Sequence, residues 1–224
     1  MTTVGLQRQP LARSVYQLVT EMLLTNGLPP GARLSIDDLA RNLGVSQTPV
    51  REALARVEAD GLIIKEPGRS YRVAPMMTMD QVRELTELRL MLEPALAAKA
   101  ARHSNVTAIA ELRTLARSMR TGKATEGTTS REDMEHDAAF HQRIAVLAGN
   151  GIAADTLQRL RGHVHTYRLH YNAGPATATR NEHLVIAKAI ADHDPVAADA
   201  AMRVHLTNGQ RRMEASVAQV EAQG

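Results

Sequence analysis

Hydrophobic positions along the first sixty residues recur at helical spacing. Leu11, Val15, Leu18, Val19, Met22 and Leu23 share one face of a helix predicted over residues 11–25. Asn26-Gly27 and Pro29-Pro30-Gly31 end it. A second, short helix carries Leu39, Ala40 and Leu43 on one side and stops at Gly44, a residue suited to a helix terminus. Ser46 stands where an N-cap belongs, and Pro49 falls in the first turn of a third helix, where proline is tolerated. Val50, Ala53, Leu54 and Val57 form the apolar face of that helix, and Gly61 closes it. The period then shortens. Leu62–Lys65 and Tyr71–Val73 read as two short strands, with Glu66-Pro67-Gly68-Arg69-Ser70 as the hairpin tip between them.

After Pro75 the strand signal disappears and helical periodicity runs to the end. It is broken at Gly122–Ser130, Asn150-Gly151, Asn172–Thr179 and Asp192–Pro195, with the Gly/Thr-rich stretch 121–130 as the expected mobile loop. The chain of 224 residues therefore divides into two expected domains, residues 1–75 and 79–222. Three helices followed by a hairpin is the order of a winged helix-turn-helix. The fold class expected is mainly α: that winged domain, then an antiparallel all-helical bundle.

Composition supports helices, because aromatic residues are only 2% of the chain while hydrophobic residues are 44%. With no cysteine, disulfides, thiolate metal sites and a cysteine nucleophile are excluded. A net charge of +3 permits a nucleic-acid partner without establishing one. No apolar run of signal-peptide type opens the chain and no later stretch approaches a membrane span, so a cytoplasmic protein without membrane partners is expected.

Polar chemistry concentrates at two places. The N-terminal turn of the third helix exposes Gln47, Thr48 and Arg51, while Val50 and Leu54 face inward. Gln and Arg make paired hydrogen bonds to base edges, Thr reaches a base or a phosphate, and the helix N-terminus itself favours phosphate. Arg69 at the hairpin tip is placed for the DNA backbone or minor groove. A small helical domain with a solvated polar surface is the plainer alternative.

In the second half, polar residues fall on apolar stripes. Asp137 and His141 share the stripe of Met134, Ala138, Ile144 and Ala148. His183 lies with Ile186, Ala187 and Ile190, and His205 with Ala198, Met202, Met213 and Val217. A single inward histidine is most often a satisfied core residue. One carboxylate and three imidazoles on three helices suit a divalent transition metal such as Zn, Ni or Mn, with Asp137 and His141 chelating together at i, i+4. His163 reads as a further inward group, either an outer partner or a substitute ligand. The remaining histidines, His103, His136, His165, His170 and His193, read as surface residues. Arg89 lies on the stripe of Leu85, Leu92 and Leu96, and two readings stand: a salt bridge to Glu93 or Asp137, or a ligand carboxylate.

The run PPGARLSIDDLARNLGVSQTPVREALARVEADGLI, residues 29–63, resembles the N-terminal domain of GntR-family transcription regulators. VRELTELRLMLEPALAAKAA (residues 82–101), DAAFHQRI, NEHLVIAKAI and MRVHL resemble the helical FCD effector domain of the FadR subgroup of that family. The resemblance implies a DNA-facing set of Arg33, Ser46, Gln47, Thr48, Arg51, Gly68 and Arg69. It implies a bundle of six or seven helices, metal ligands Asp137, His141, His183 and His205, and a small organic acid whose carboxylate meets the metal and basic groups, Arg89 and His163 among them. Two positions depart from the family pattern, since Gln47 and Asp37 stand where arginines are usual.

The expected function is that of a homodimeric repressor that reads a palindromic operator in double-stranded DNA and is controlled by a small carboxylate. Two alternatives stand beside it. One is a metal-dependent hydrolase with an accessory DNA-binding domain, against which the stripes offer no spare inward Glu or Asp as a general base near the ligands and no H-E-x-x-H. The other is a purely structural metal.

Overall fold

The computed structural model describes residues 8–24, 28–67, 70–103, 105–119, 131–160 and 176–222. Contacts divide the chain into two compact units, Met1–Met76 and Met77–Gly224. The fold is mostly helical with one small antiparallel sheet, as expected from the hydrophobic pattern.

The N-terminal unit runs α1 (Arg8–Leu24), β1 (Arg33–Ser35), α2 (Ile36–Leu43), α3 (Gln47–Ala59), β2 (Ile63–Lys65) and β3 (Ser70–Val73). Of the six apolar positions read on α1, Val15, Val19 and Leu23 are buried and meet Val50, Leu54 and Val57 from α3, whereas Leu11 and Leu18 are exposed and Met22 is half-buried, because the face that α1 turns to α3 is narrower than the apolar spacing implied. At the far end of α3, the Tyr16 hydroxyl donates to Asp60 at 2.7 Å while the Arg56 guanidinium lies 4.4 Å from the Tyr16 ring centre. Burial, then that carboxylate, push the Tyr16 hydroxyl up to about 12.

The turn between α2 and α3 is built on Gly44, whose φ of 63° is left-handed. Its N–H reaches the Ala40 and Arg41 carbonyls, and Val45 N–H closes on Ala40 at 3.0 Å. The start of α2 is capped by Ser35, which accepts from Asp38 N–H at 3.3 Å. Ser46 occupies the N-cap position of α3 with extended backbone, but its side chain makes no capping hydrogen bond. The cap expected there is one of position only.

The sheet has order β1-β3-β2. The hairpin is in register Ile63↔Val73 and Lys65↔Tyr71, and Glu66 N–H to Ser70 C=O at 3.0 Å closes it. β1 was not expected. It has three residues, too few to show a period of two, and exists because Arg33, Leu34 and Ser35 pair with Arg72, Tyr71 and Ser70. Gly68 and Arg69, the expected wing-tip contacts, lie outside the described residues.

Six helices are described in the C-terminal unit: α4 (Met79–His103), α5 (Val106–Ser118), α6 (Arg131–Leu147), α7 (Gly151–Leu160), α8 (Thr177–Ala191) and α9 (Pro195–Glu221). The breaks expected at Asn150-Gly151 and Asp192–Pro195 fall between helices. Asn150 caps α7 by accepting from Ala153 N–H at 3.1 Å, and Asp194 caps α9 through Val196 and Ala197 N–H at 3.0 and 2.9 Å. A break after His103 was not foreseen. There Asn105 accepts from Ala108 N–H at 2.9 Å and starts α5.

α4 packs along α9 and also meets α6 and α8. Leu96, Leu112, Phe140, Ile144, Ile186 and Met202 fill the centre, with alanines from every neighbouring helix between them. Small side chains let helices approach closely, so polar groups on α6, α8 and α9 end within bonding distance of one another. Among the described residues no helix is long and apolar enough to cross a membrane.

Candidate metal centre and nucleic-acid interface

Four polar residues expected to face inward do so together. α6 supplies Asp137 and His141 one turn apart, α8 supplies His183, and α9 supplies His205; all are buried, and one ligand atom of each lies within 4.8 Å of the others. Asp137 Oδ1 is 3.3 Å from His183 Nε2 and 3.8 Å from His141 Nε2. His141 Nε2 is 3.1 Å from His205 Nε2. Phe140 stacks on His183, centroids 4.0 Å apart and rings 15° from parallel, and fixes the imidazole plane.

Outer partners decide which ring nitrogens carry protons. His141 Nδ1 lies 2.5 Å from Glu93 on α4, and His205 Nδ1 lies 2.8 Å from Glu182 on α8. A carboxylate only accepts, so each Nδ1 donates and, in the neutral ring, each Nε2 is left with a lone pair. Two lone pairs and the Asp137 carboxylate then converge with no proton between them. Both nitrogens of His183 are buried without a hydrogen bond; its 3.3 Å approach to Asp137 is close in distance but not aligned for one. Converging acceptors at this spacing fit a cation, because two donors each ~2.1 Å from an ion and at right angles lie ~3 Å apart.

The charge states agree with that donor set. Burial pushes His183 down to about 3, against the opposing pull of Asp137, and it also lowers His205. Both imidazoles are thus neutral and able to ligate. Burial would raise the acids, but their partners outweigh it. Asp137 is held far below the usual carboxylate range by His183 and the other imidazoles. Glu93 is held there by Arg89 and His141, and Glu182 falls to about 2 through His205 and Arg212.

Of the readings open for Arg89, the structure realises the ion pair with Glu93. Arg89 Nε donates to Glu93 at 2.5 Å, and its Nη2 lies 3.5 Å from both ring nitrogens of His141. Burial alone would lower the Arg89 pKa; Glu93 outweighs it and raises it, so the guanidinium stays charged at the rim of the cluster. His163 lies outside the described residues, as do His165 and His170. His103 and His193 are exposed as expected, whereas His136 is half-buried with an unpartnered Nδ1.

Two inward glutamates, Glu93 and Glu182, sit beside the ligand histidines. They were missed because each is set by a helix contact remote in sequence, 48 residues from His141 and 23 from His205. Only the Glu93–Arg89 pairing at i, i+4 carried a signal. Neither is a free base: Glu93 holds Arg89 and His141, and Glu182 accepts from Asn208 at 3.0 Å and from both amino groups of Arg212 at 2.9 Å.

In the N-terminal unit, Ser46, Gln47, Thr48 and Arg51 are exposed at the start of α3, while Pro49, Val50 and Leu54 are buried beneath them. Arg33 is exposed on β1, with Nη2 3.4 Å from Ser70 Oγ. Asp37, from the first turn of α2, meets this surface: Gln47 Nε2 donates to its Oδ1 at 2.6 Å, and Arg51 Nη2 donates to Gln47 Oε1 at 3.0 Å. Arg72, which the sequence did not single out, donates to Glu66 at 2.6 Å and to the Gly31 carbonyl at 2.7 Å.

A winged helix-turn-helix unit followed in the chain by a helical unit with a buried Asp/His cluster defines a transcription regulator of the DNA-binding class. The description "Bacterial regulatory proteins, gntR family" matches residues 11–73 and "FCD domain" matches residues 84–208. The chain belongs to the GntR family and carries an FCD domain. It is 35% identical over 209 residues to an uncharacterized HTH-type transcriptional regulator in an unstable DNA locus of Streptomyces ambofaciens, covering 87% of this chain and 81% of that one. It is 28% identical over 200 residues to the HTH-type transcriptional repressor RspR of Escherichia coli, covering 88% and 86%. Among solved structures, E. coli McbR/YncC superposes with a TM-score of 0.66 at 23% identity, over 88% of this chain and 94% of that one. A putative GntR regulator from Rhodococcus sp. RHA1 gives 0.63 at 21%, over 90% and 96%. These two establish likeness of fold. The hydrolase alternative finds no support among the relatives.

Proposed function

We propose that the protein is a homodimeric, cytoplasmic repressor whose affinity for a palindromic operator is set by a small carboxylate bound at a metal site in its helical domain. The observation that carries the sensing half is the cluster of buried donor atoms of Asp137, His141, His183 and His205 within 4.8 Å of one another. These residues would hold a divalent ion, with Zn, Ni and Mn all compatible with imidazole and carboxylate donors. When bound, it supplies a Lewis-acidic point for a carboxylate oxygen. Arg89 would orient the same carboxylate, since the ion pair with Glu93 engages its Nε and leaves terminal amino groups at the cluster's rim. His163, on sequence grounds alone, would complete the effector site.

On the DNA side, Gln47, Thr48 and Arg51 would read base edges in the major groove. Arg33, Ser46, Gly68 and Arg69 would position the domain on the backbone and at the wing. Repression is supported by the name of the relative RspR. Two-fold symmetry of a dimer would match two-fold symmetry of the operator.

Elemental analysis of the purified protein, then a thermal-shift screen of small mono- and dicarboxylates and operator titrations with and without each hit, tests this reading. Stoichiometric metal, stabilisation by an acid and a change in operator affinity are expected together, because the two ligands must be reciprocally coupled. A metal-loaded protein that no acid stabilises would reduce the ion to a structural role. An acid that binds and leaves operator affinity unchanged would remove effector control.

Glu93→Gln checks the outer partners. It keeps the side chain's shape but loses the charge that holds His141 Nδ1–H and Arg89, and metal affinity is expected to fall ~10–100-fold, the range for outer-shell partners of metal ligands. Competition against a chromogenic chelator measures it, and an affinity equal to wild type would detach Glu93 from the metal site.

A further inference from the structure

Asp37 and Gln47 are the two positions where the sequence departs from the arginines usual in its family, and the fold places them in contact. The Gln47 amide is held from both ends: its Nε2 donates to Asp37 Oδ1 at 2.6 Å and its Oε1 accepts from Arg51 Nη2 at 3.0 Å. Asp37 comes from α2 and Gln47 from the first position of α3, 10 residues on, so the contact spans the helix-turn-helix.

An exposed glutamine ordinarily turns its amide over at little cost, offering donor or acceptor to either side. Here that freedom is removed. A carboxylate accepts only and a guanidinium donates only, so a flipped amide would face like against like at both contacts. Both contacts are also charge-assisted, which makes them the stronger kind. The locked amide keeps one N–H and one oxygen lone pair for DNA. That donor–acceptor pair complements the N7 acceptor and N6–H donor of adenine, whereas an arginine at this position would offer donors only and select guanine.

We infer that Asp37 is a positioning residue for operator specificity: it locks the Gln47 amide so that α3 reads an adenine in each half-site beside the contact made by Arg51. The inference rests on the reading of α3 as the DNA-facing helix. The two departures then act as one unit, with Asp37 giving up positive charge at the interface in exchange for a defined hydrogen-bonding edge.

The test is selection of binding sites from a pool of random-sequence duplexes by the full-length protein and by Asp37→Ala, Asp37→Asn and Gln47→Arg variants, at one salt concentration. Wild type is expected to enrich a palindrome with adenine at one position of each half-site. Asp37→Ala should lower that preference on the order of fivefold, the lower end of what one bidentate pair contributes, and leave the other positions as they were. Asp37→Asn can turn its own amide to offer donor or acceptor, so the lock loosens in part and the preference should fall to between wild type and Asp37→Ala, while the lost negative charge raises affinity for all sequences alike. Gln47→Arg should move the preference to guanine. An Asp37→Ala protein with the wild-type preference would overturn the inference, as would Ala and Asn variants that alter every position equally. Wild-type protein that enriches no sequence would instead take down the DNA-facing reading of α3 and the inference with it.

Discussion

His183→Ala is expected to abolish stoichiometric metal binding, an effect larger than the ~10–100-fold loss typical when only an outer partner is removed. The residue is fully buried, stacks on Phe140 and has no hydrogen bond at either ring nitrogen, so the ion would be its compensation for burial. Truncation also opens a void beside Phe140 and lowers the bundle's stability. Asp137→Asn separates the two effects, because it keeps the volume and removes only the anionic ligand. Both variants should lose metal by elemental analysis after gel filtration, and the acid response in thermal shift should vanish with it. Circular dichroism should show the helices retained in Asp137→Asn. Wild-type metal content in either variant would mean that the ion, if any, is held elsewhere.

Arg51→Ala is expected to weaken operator binding by about 5–150-fold, the equivalent of ~1–3 kcal/mol for one bidentate side-chain–base pair. Arg51 is exposed one turn into α3, and its guanidinium also steadies Gln47, so its loss removes a contact and frees a neighbour. No core contact is lost, and the stability change should stay within ~0.5 kcal/mol, as for most surface substitutions. Titration at fixed salt is essential, since the phosphate contribution varies steeply with ionic strength. Operator affinity equal to wild type would exclude this turn of α3 as the reader.

Much of the DNA-binding unit was legible from hydrophobic spacing. Val50, Ala53, Leu54 and Val57 were read as the inner face of α3, and all four are buried. The same logic brought out Asp137, His141, His183 and His205, because a polar residue on an otherwise apolar stripe must lie in the core whatever the details of packing. The Glu93–His141 and Glu182–His205 contacts were not legible. Each depends on the crossing of two helices, and a stripe says which face is buried without saying which residue of another helix it meets. β1 was missed for the related reason that a three-residue strand is defined by its partner, not by its own pattern.

Asp37 and Gln47 show the division most clearly. As sequence, they were two separate losses of positive charge from a surface expected to face DNA. Only the turn at Gly44 and the packing of α2 against α3 bring Asp37 to within 2.6 Å of Gln47, and that contact joins them. The sequence by itself determined most of the elements, most of their inward faces and the chemical kinds gathered in each half, because those follow from local period and composition. The tertiary structure alone decided which ring nitrogens are protonated, which carboxylates stand behind them and which way the Gln47 amide points. Those are properties of pairs remote along the chain, set by distances of a few ångströms that no periodicity encodes.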